Sequence, residues 1–495
     1  MMVTDLVTID EINKWKQGDI ITIAAGTGKG KSYFIKNILY AIAKRDNKRI
    51  LMLIHRRNCT EQFRMELEEA DKLDVIDIKT YQSIEAVERS GVIYELSQYD
   101  YIVCDEFHYF MSDAAFNKYT DISLNTILEQ SRAIRIFTSA TGDYVKHYLN
   151  DEKHKGISTI DYNIPINFDF IRHLEFYHKD ETLETYIEQA IAQNKKAIFF
   201  IQSVKKAYEL HERYKEHSLF NCSKNNKDGY YQYVDEEKIT SMLKNERFEE
   251  LILITTTVMD AGVNIVDDEL NHIVADVNDT GTLIQCIGRK RLKNKKDHII
   301  LHLKAISNMQ LGGMETQARK RLDMALYFRE YGEKKFVREY YREVDNSHIV
   351  YDEVTEEGIE KRLNEMMFFK NIAHVNEINE IKKFKKSGYI KYIAKLFRVY
   401  RYSVYEEEEK KDDLESYLNS IVGKKLFKEG QKELIEKVRL KDGRGRIQKG
   451  ISLLNAYFKE NKMCFMIKSK RSIEIVNDKE KRVGYWEVEG DIKHD

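Results

Sequence analysis

Eight residues near the start of the chain, Ala25-Gly26-Thr27-Gly28-Lys29-Gly30-Lys31-Ser32, set three glycines among two lysines and two hydroxyls. A polyanion such as a triphosphate needs many donors at short range. Gly26, Gly28 and Gly30 let the backbone curl so that successive N–H groups converge on phosphate oxygens. Lys31 has the reach to meet the β and γ phosphates, and the Ser32 hydroxyl is a hard-oxygen ligand for Mg²⁺. About 70 residues further on stands Asp105-Glu106-Phe107-His108. An aspartate there is the second Mg²⁺ anchor that phosphate-loop chemistry uses, and Glu106 beside it is placed to orient a water. These residue types imply binding and hydrolysis of a nucleoside triphosphate. The loop carries Ala25 where the general pattern has its first glycine.

Such groups need rigid elements behind them. Ile20-Ile21-Thr22-Ile23 and Tyr101-Ile102-Val103-Cys104 are apolar runs that read as buried strands leading into the two segments. Tyr33 to Lys44 reads as a helix whose N-terminal dipole favours anions. Further strand-like runs at Ile50–Ile54, Val75–Ile78 and Ile134–Thr138 alternate with helical stretches such as Thr60–Ala70. This is the pattern of an α/β domain with a parallel sheet. After about residue 150 it restarts, with strand-like runs at Ala197–Ile201, Leu251–Thr255, His272–Ala275 and His298–Leu303, but without a second glycine-rich loop. From about residue 306 the alternation stops and long charged helices are expected.

Composition narrows the partners. The formal net charge of −1 means that any surface for nucleic acid is local rather than global. Cys59, Cys104, Cys222, Cys286 and Cys464 are far apart, which argues against a zinc site or a disulfide framework. Nothing at the N-terminus resembles a signal peptide, and no apolar run approaches membrane-spanning length. A reduced, cytoplasmic protein with no membrane partner is expected.

In their order along residues 18–305, these segments resemble the motifs of superfamily 2 helicases, the DExH/DEAD-type translocases with two RecA-like domains. The family's first motif carries alanine where Ala25 stands. His55 to Gln62 is similar to its P-T-R-E-L-A-x-Q segment at Arg57 and Gln62, and Thr80-Tyr81-Gln82 resembles the T-Y-Q element of DNA-directed members. Asp105 to His108 matches the DExH box and Ser139-Ala140-Thr141 the S-A-T linker. Ile198 to Ser203, Thr255 to Ile265 with Gly262-Val263-Asn264-Ile265, and Gln285-Cys286-Ile287-Gly288-Arg289-Lys290-Arg291 resemble the second-domain motifs. The last is one residue short, with Arg291 two positions after Arg289. Herpesvirus origin-binding helicases have a similar ending.

The resemblance implies two tandem RecA-like P-loop domains with parallel sheets, at 1–150 and 151–305. It implies ATP and Mg²⁺ as ligands, held by residues 25–32, Gly262 and Gln285, with Ser32 and Asp105 on the metal. Lys31, Asp105, Glu106, His108, Arg289 and Arg291 become the catalytic candidates, and which arginine meets the γ phosphate stays open. Arg57, Thr80, Gln82, Ser203 and Thr256 become candidate nucleic-acid contacts, although each is also a residue type that caps helices or lies on surfaces. Ser139 and Thr141 are expected to couple hydrolysis to movement, with His108 bridging to them. The implied function is an ATP-dependent helicase acting on nucleic acid, DNA ahead of RNA, in replication, repair or a mobile element. A recruited nuclease or replication subunit is compatible with it. The alternative is a non-translocating ATPase switch or sensor in an assembly or defence system.

The last third is expected to form a helical accessory region at 306–425 and a winged-helix-like α+β module at 426–495 that binds nucleic acid. Tyr327, Phe328, Tyr331, Phe336, Tyr340 and Tyr341 recur at helical spacing and read as a packed helix face ahead of a stacking platform. Lys382 to Lys386 forms a basic run, and Glu406–Glu409 reads as a linker or helix start. Helices followed by strand-like Cys464–Lys468 and Val483–Val488 give the winged-helix order.

Overall fold

The computed structural model describes the chain except residues 27, 56, 142–144, 146–147, 150–157, 225, 258–263, 295–296, 342–347, 356–357, 443–445, 477–478 and 491–495, and the side chains of 57–59, 62, 474–476 and 479–481. Within residues 1–402, one compact unit, two parallel sheets each carry helices.

The first sheet contains β1 (Ile20–Ala25), β2 (Ile50–Ile54), β3 (Ile76–Thr80), β4 (Tyr101–Asp105), β5 (Ile134–Ser139) and β6 (Thr159–Ile164). Their order is β3-β2-β4-β5-β1-β6, all parallel. The central strands are almost wholly buried, and all but β5, which carries buried Arg135, Thr138 and Ser139, are largely apolar, as a sheet covered on both faces requires. Register sets Ala24 beside Ser139 and Asp105 beside Thr138. The carboxyl ends of β1, β4 and β5 therefore converge, where open α/β sheets bind ligands. The sheet runs past the expected boundary at residue 150, because β6 pairs with β1. β6 is an edge strand with exposed polar positions, and so lacks the apolar run by which the others announce themselves.

The second sheet holds β7 (Ile171–Tyr177), β8 (Lys196–Ile201), β9 (Ser218–Asn221), β10 (Ile252–Thr255), β11 (Leu270–Asp276) and β12 (Ile299–Lys304). These six strands lie in the parallel order β7-β12-β11-β8-β10-β9 within a seven-stranded sheet. β7 and β9 were not expected from the sequence, since one alternates polar and apolar residues and the other is short.

Residues after 306 do not form helices alone. Val350–Thr355 and Gly358–Leu363 pair as an antiparallel hairpin, β13 and β14. The helical stretch Asn308–Glu339 is kinked at Gly332. Met324, Ala325 and Phe336 from it join Met366, Met367, Phe368 and Phe369 of the helix Glu365–Lys382 in one apolar cluster with first-lobe residues Phe107, Phe110 and Leu124. Tyr327, Phe328 and Tyr340 pack against the same cluster, so these residues with Phe336 form a packed face, whereas Tyr331 and Tyr341 are exposed. Lys370 donates to the Ser112 carbonyl at 3.0 Å and Asn364 to that of Ala114 at 3.0 Å, fixing the helix on the first lobe. Lys382 of the basic run is paired with Glu315, and Lys383 with Glu380.

Residues 403–495 form a second compact unit, which begins well before the expected boundary at 426. Glu406, Glu407 and Glu408 occupy the first turn of the helix Tyr405–Ile421, where the helix dipole favours carboxylates. The helices Lys428–Val438 and Ile451–Glu460 follow, then a long hairpin, β15 (Phe465–Val476) with β16 (Lys479–Gly490). Leu418, Leu434, Leu454, Phe458 and Val488 make its core. The hairpin strands extend well beyond the two apolar runs that suggested them, held in part by charged cross-strand pairs such as Lys470 with Glu487.

Candidate nucleotide site and the path between the lobes

Ala25 ends β1, buried, and the glycine loop leaves from it. Gly28 and Gly30 hold φ of +76° and +82°, conformations that disfavour any residue with a Cβ. Gly30 caps the helix that starts at Lys31, and Lys31–Tyr33, π-helical Phe34–Leu39 and Tyr40–Arg45 run on from one another. The helix thus begins two residues before its expected start. Lys29 accepts from the Val3 N–H at 2.9 Å through its carbonyl, which ties the loop to the N-terminal segment. Ser32 is exposed in the first turn, and Thr27 lies outside the described residues. Lys31 is 8% exposed, and its Nζ donates to the Ala25 carbonyl at 2.8 Å and lies 3.6 Å from Glu106 Oε1.

Asp105 Oδ1 accepts from Thr138 Oγ1 at 2.8 Å, a contact that the β4–β5 register imposes. Burial, and then the neighbouring Glu106 charge, push the Asp105 carboxyl up to about 6. Burial works against the Glu106 charge too, but Lys31, His108 and Arg289 outweigh it and hold that carboxyl well below the usual range. Two crowded carboxylates and the Ser32 hydroxyl are hard oxygen donors of the kind Mg²⁺ takes, and a cation would relieve their repulsion. Glu106 has φ +48°, left-handed backbone that is uncommon for a non-glycine residue and tends to collect at functional sites.

A hydrogen-bonded path leaves Glu106. His108 Nδ1 lies 2.9 Å from Ser139 Oγ and 3.3 Å from Glu106 Oε2. Ser139 Oγ donates to Glu106 Oε2 at 3.4 Å and accepts from the Thr141 N–H at 3.1 Å. Gln285, on the second-lobe helix Thr280–Ile287, donates through Nε2 to Thr141 Oγ1 at 3.1 Å. Glu106, His108, Ser139, Thr141 and Gln285 therefore form one chain of polar contacts from the acidic pair to the second lobe.

The two arginines differ. Arg289 is 6% exposed, and its Nε donates to the Gln285 carbonyl at 3.1 Å. Arg291 is nearer the loop: a side chain at Gly28 would begin 3.7 Å from Arg291 Nη1. Burial, and next the Arg289 charge, pull the Arg291 guanidinium down to about 10, still charged at neutral pH.

The remaining candidates are placed as follows. Thr80 Oγ1 accepts from the Ser83 N–H at 3.3 Å and Ser203 Oγ from the Lys206 N–H at 3.4 Å, so both cap helices. Such caps contribute about 1 kcal/mol each, which explains their presence without a ligand. Gln82 donates to the His55 carbonyl at 3.1 Å. Thr256 is buried just after β10. Arg57 starts the helix Arg57–Glu69 with its side chain outside the described residues, as Gly262 is entirely. Sequence reasoning gave no role to Asn264, which holds Arg291, or to Thr138, which holds Asp105. The only signal for Asn264 was an amide beside Ile265 in the fifth motif.

No family model and no curated protein matches this sequence. Solved structures are similar in chain course. S. cerevisiae Dbp5 bound to RNA and ADP BeF3 is 16% identical, over 58% of this chain and 79% of that one, with a TM-score of 0.43. The DEAD-box helicase Mss116 bound to ssRNA and UDP-BeF is 14% identical, over 69% and 82%, with a TM-score of 0.44. A DEAD box protein from the hyperthermophile Methanococcus jannaschii is 15% identical, over 64% and 89%, with a TM-score of 0.35. Among the described residues, no helix is long and apolar enough to cross a membrane.

Proposed function

We propose that this chain is an ATP-dependent nucleic-acid helicase or translocase, acting on DNA in preference to RNA. The observation that carries the reading is the polar path from Glu106 through His108, Ser139 and Thr141 to Gln285, with Arg291 Nη1 turned toward Gly28 of the first lobe's loop.

The glycine loop and Lys31 would bind the triphosphate, and Ser32 with Asp105 would hold Mg²⁺, whose chemistry there would be to offset phosphate charge. Glu106, kept ionised by its cationic neighbours, orients the attacking water. Arg289 and Arg291 supply positive charge as the phosphoryl group transfers, a contribution worth about 10³–10⁵ in rate in comparable systems. Those arginines belong to the second lobe, so hydrolysis requires the two lobes to be closed. When the γ phosphate leaves, Glu106 changes its partners, and the change reaches Gln285 through Ser139 and Thr141. Alternate closing and opening shifts the two lobes' contacts along a strand. Arg57, Thr80, Gln82, Ser203 and Thr256 are the proposed contacts to that strand. The unit 403–495, with its helices and long hairpin, is proposed as a winged-helix-like module that adds affinity for the polymer.

DNA is placed ahead of RNA on the Thr80-Tyr81-Gln82 element. The test is steady-state ATPase activity with single-stranded DNA, duplex DNA, RNA and no polymer. The expected result is stimulation by single-stranded DNA that weakens with salt as phosphate contacts release counterions. Stronger stimulation by RNA would reverse the polymer preference. Hydrolysis indifferent to every polymer would favour a switch that does not translocate.

A further inference from the structure

Arg291 does not reach toward the loop unsupported. Its Nε and Nη2 both donate to Asn264 Oδ1, at 2.8 and 2.5 Å, leaving Nη1 as the nitrogen that faces Gly28. The backbones of the two segments are zipped together. Ile265 N donates to the Arg289 carbonyl at 2.8 Å and Arg291 N to the Ile265 carbonyl at 2.8 Å, in a parallel bridge centred on Ile265 and Lys290. Lys290 anchors the arginine segment from below through Asp297 at 3.0 Å.

The Asn264 amide is itself oriented. Its Nδ2 donates to Glu246 Oε1 at 3.4 Å, and the Glu246 carbonyl accepts from the Val266 N–H at 2.7 Å. With a carboxylate on one side and a guanidinium on the other, only one assignment of the amide oxygen and nitrogen satisfies both partners. Glu246 ends the helix Glu236–Asn245 at φ +53°, so its position is set by the backbone.

We propose that Asn264 is a positioning residue, whose carbonyl oxygen clamps Arg291 so that its free Nη1 meets the transferring phosphoryl group. This rests on the ATPase reading above. A carboxamide suits the task. It satisfies two of the arginine's donors while keeping the Glu246 carboxylate on the far side of the amide, whereas a carboxylate in direct contact with the guanidinium would cancel more of the positive field at the phosphate. The shortened arginine motif gives the clamp its purpose. With one residue fewer after Arg289, the chain direction alone does not set where the second guanidinium lies, and a side-chain partner does.

The test is a double-mutant cycle in the full chain: wild type, Asn264→Ala, Arg291→Ala and both together, with kcat, KM, and affinities for ADP and for ADP–aluminium fluoride. Misplacing a catalytic group by about 1 Å costs roughly 100-fold. Asn264→Ala is therefore expected to lower kcat about 10- to 100-fold with KM within about threefold. Its affinity for the fluoride complex should fall in step with kcat while ADP binding is unchanged. The double variant should be no slower than Arg291→Ala alone, because a clamp has no role without its arginine. Asn264→Ser, which keeps a small polar side chain, repeats the cycle if the alanine variant does not fold. Activity of the Asn264 variant within twofold of wild type, or reductions that multiply in the double variant, overturns the proposal. A wild-type chain that hydrolyses no nucleotide overturns the ATPase reading instead.

Discussion

Gln285 of the second lobe donates to the Thr141 hydroxyl of the first at 3.1 Å, and through Ser139 and His108 that contact leads to Glu106. In the proposed mechanism this pair is the junction at which a change of partners at the acidic site becomes a change between lobes. Breaking it with Thr141→Val or Gln285→Ala removes a neutral hydrogen bond worth about 0.5–1.5 kcal/mol. Polymer stimulation of ATPase should therefore weaken, by up to about tenfold, with nucleotide affinity little changed. Salt-dependent ATPase titrations with single-stranded DNA check it. Stimulation equal to wild type in both variants would mean the path does not carry coupling.

The second lobe should be acid-labile. His272 Nδ1 lies 3.0 Å from His302 Nε2, and His302 Nδ1 lies 2.9 Å from Glu175 Oε2. Burial, and next the facing His302, pull His272 down to about 4 from its usual 6.5, while Lys195 opposes its charge and Glu175 favours it. The unfolded chain therefore binds more protons than the folded one between about pH 6.5 and 4, so this group's contribution to stability falls as pH drops through that window. The full shift corresponds to about 3 kcal/mol, and partial exposure of the ring reduces it. Thermal denaturation from pH 7 to pH 4 should show a steeper loss for wild type than for His272→Asn. Parallel curves would remove His272 from the account.

The C-terminal unit should be separable from hydrolysis. A chain ending at residue 305 would strip Met324, Phe336 and Met366–Phe369 from the first lobe's apolar cluster, so it would not fold as a lobe pair. A chain ending at Tyr402 keeps that cluster and removes only residues 403–495. It should retain polymer-independent ATPase activity and bind single-stranded DNA more weakly, as measured by fluorescence anisotropy. Unchanged DNA affinity in a folded protein would deny the unit its proposed role.

Much of the candidate site is legible in the sequence, because its residues are clustered in short segments. The glycine loop with Lys31, and Asp105–His108, each come at the end of a buried and largely apolar strand, and such strands announce themselves as nearly continuous apolar runs. What escaped was at edges or between segments. β6 is half exposed, and its alternation of isoleucine with polar residues gives no continuous run. The hairpin Val350–Leu363 lies in a highly charged stretch that reads as helix. The Asn264–Arg291 contact joins residues 27 positions apart, and spacing alone does not pair them. Thr80 and Ser203 show the converse: motif order makes them candidate nucleic-acid contacts, and the structure adds a helix-capping role for their hydroxyls that motif order does not reveal.

The central claim is that Glu106 acts on the water and Lys31 on the bound phosphates. The direct measurement is ATP affinity alongside single-turnover hydrolysis for wild type, Glu106→Gln and Lys31→Ala. The account predicts that Glu106→Gln binds ATP as wild type does and hydrolyses it at least about 100-fold more slowly, while Lys31→Ala loses affinity as well. Wild-type turnover in Glu106→Gln would contradict it.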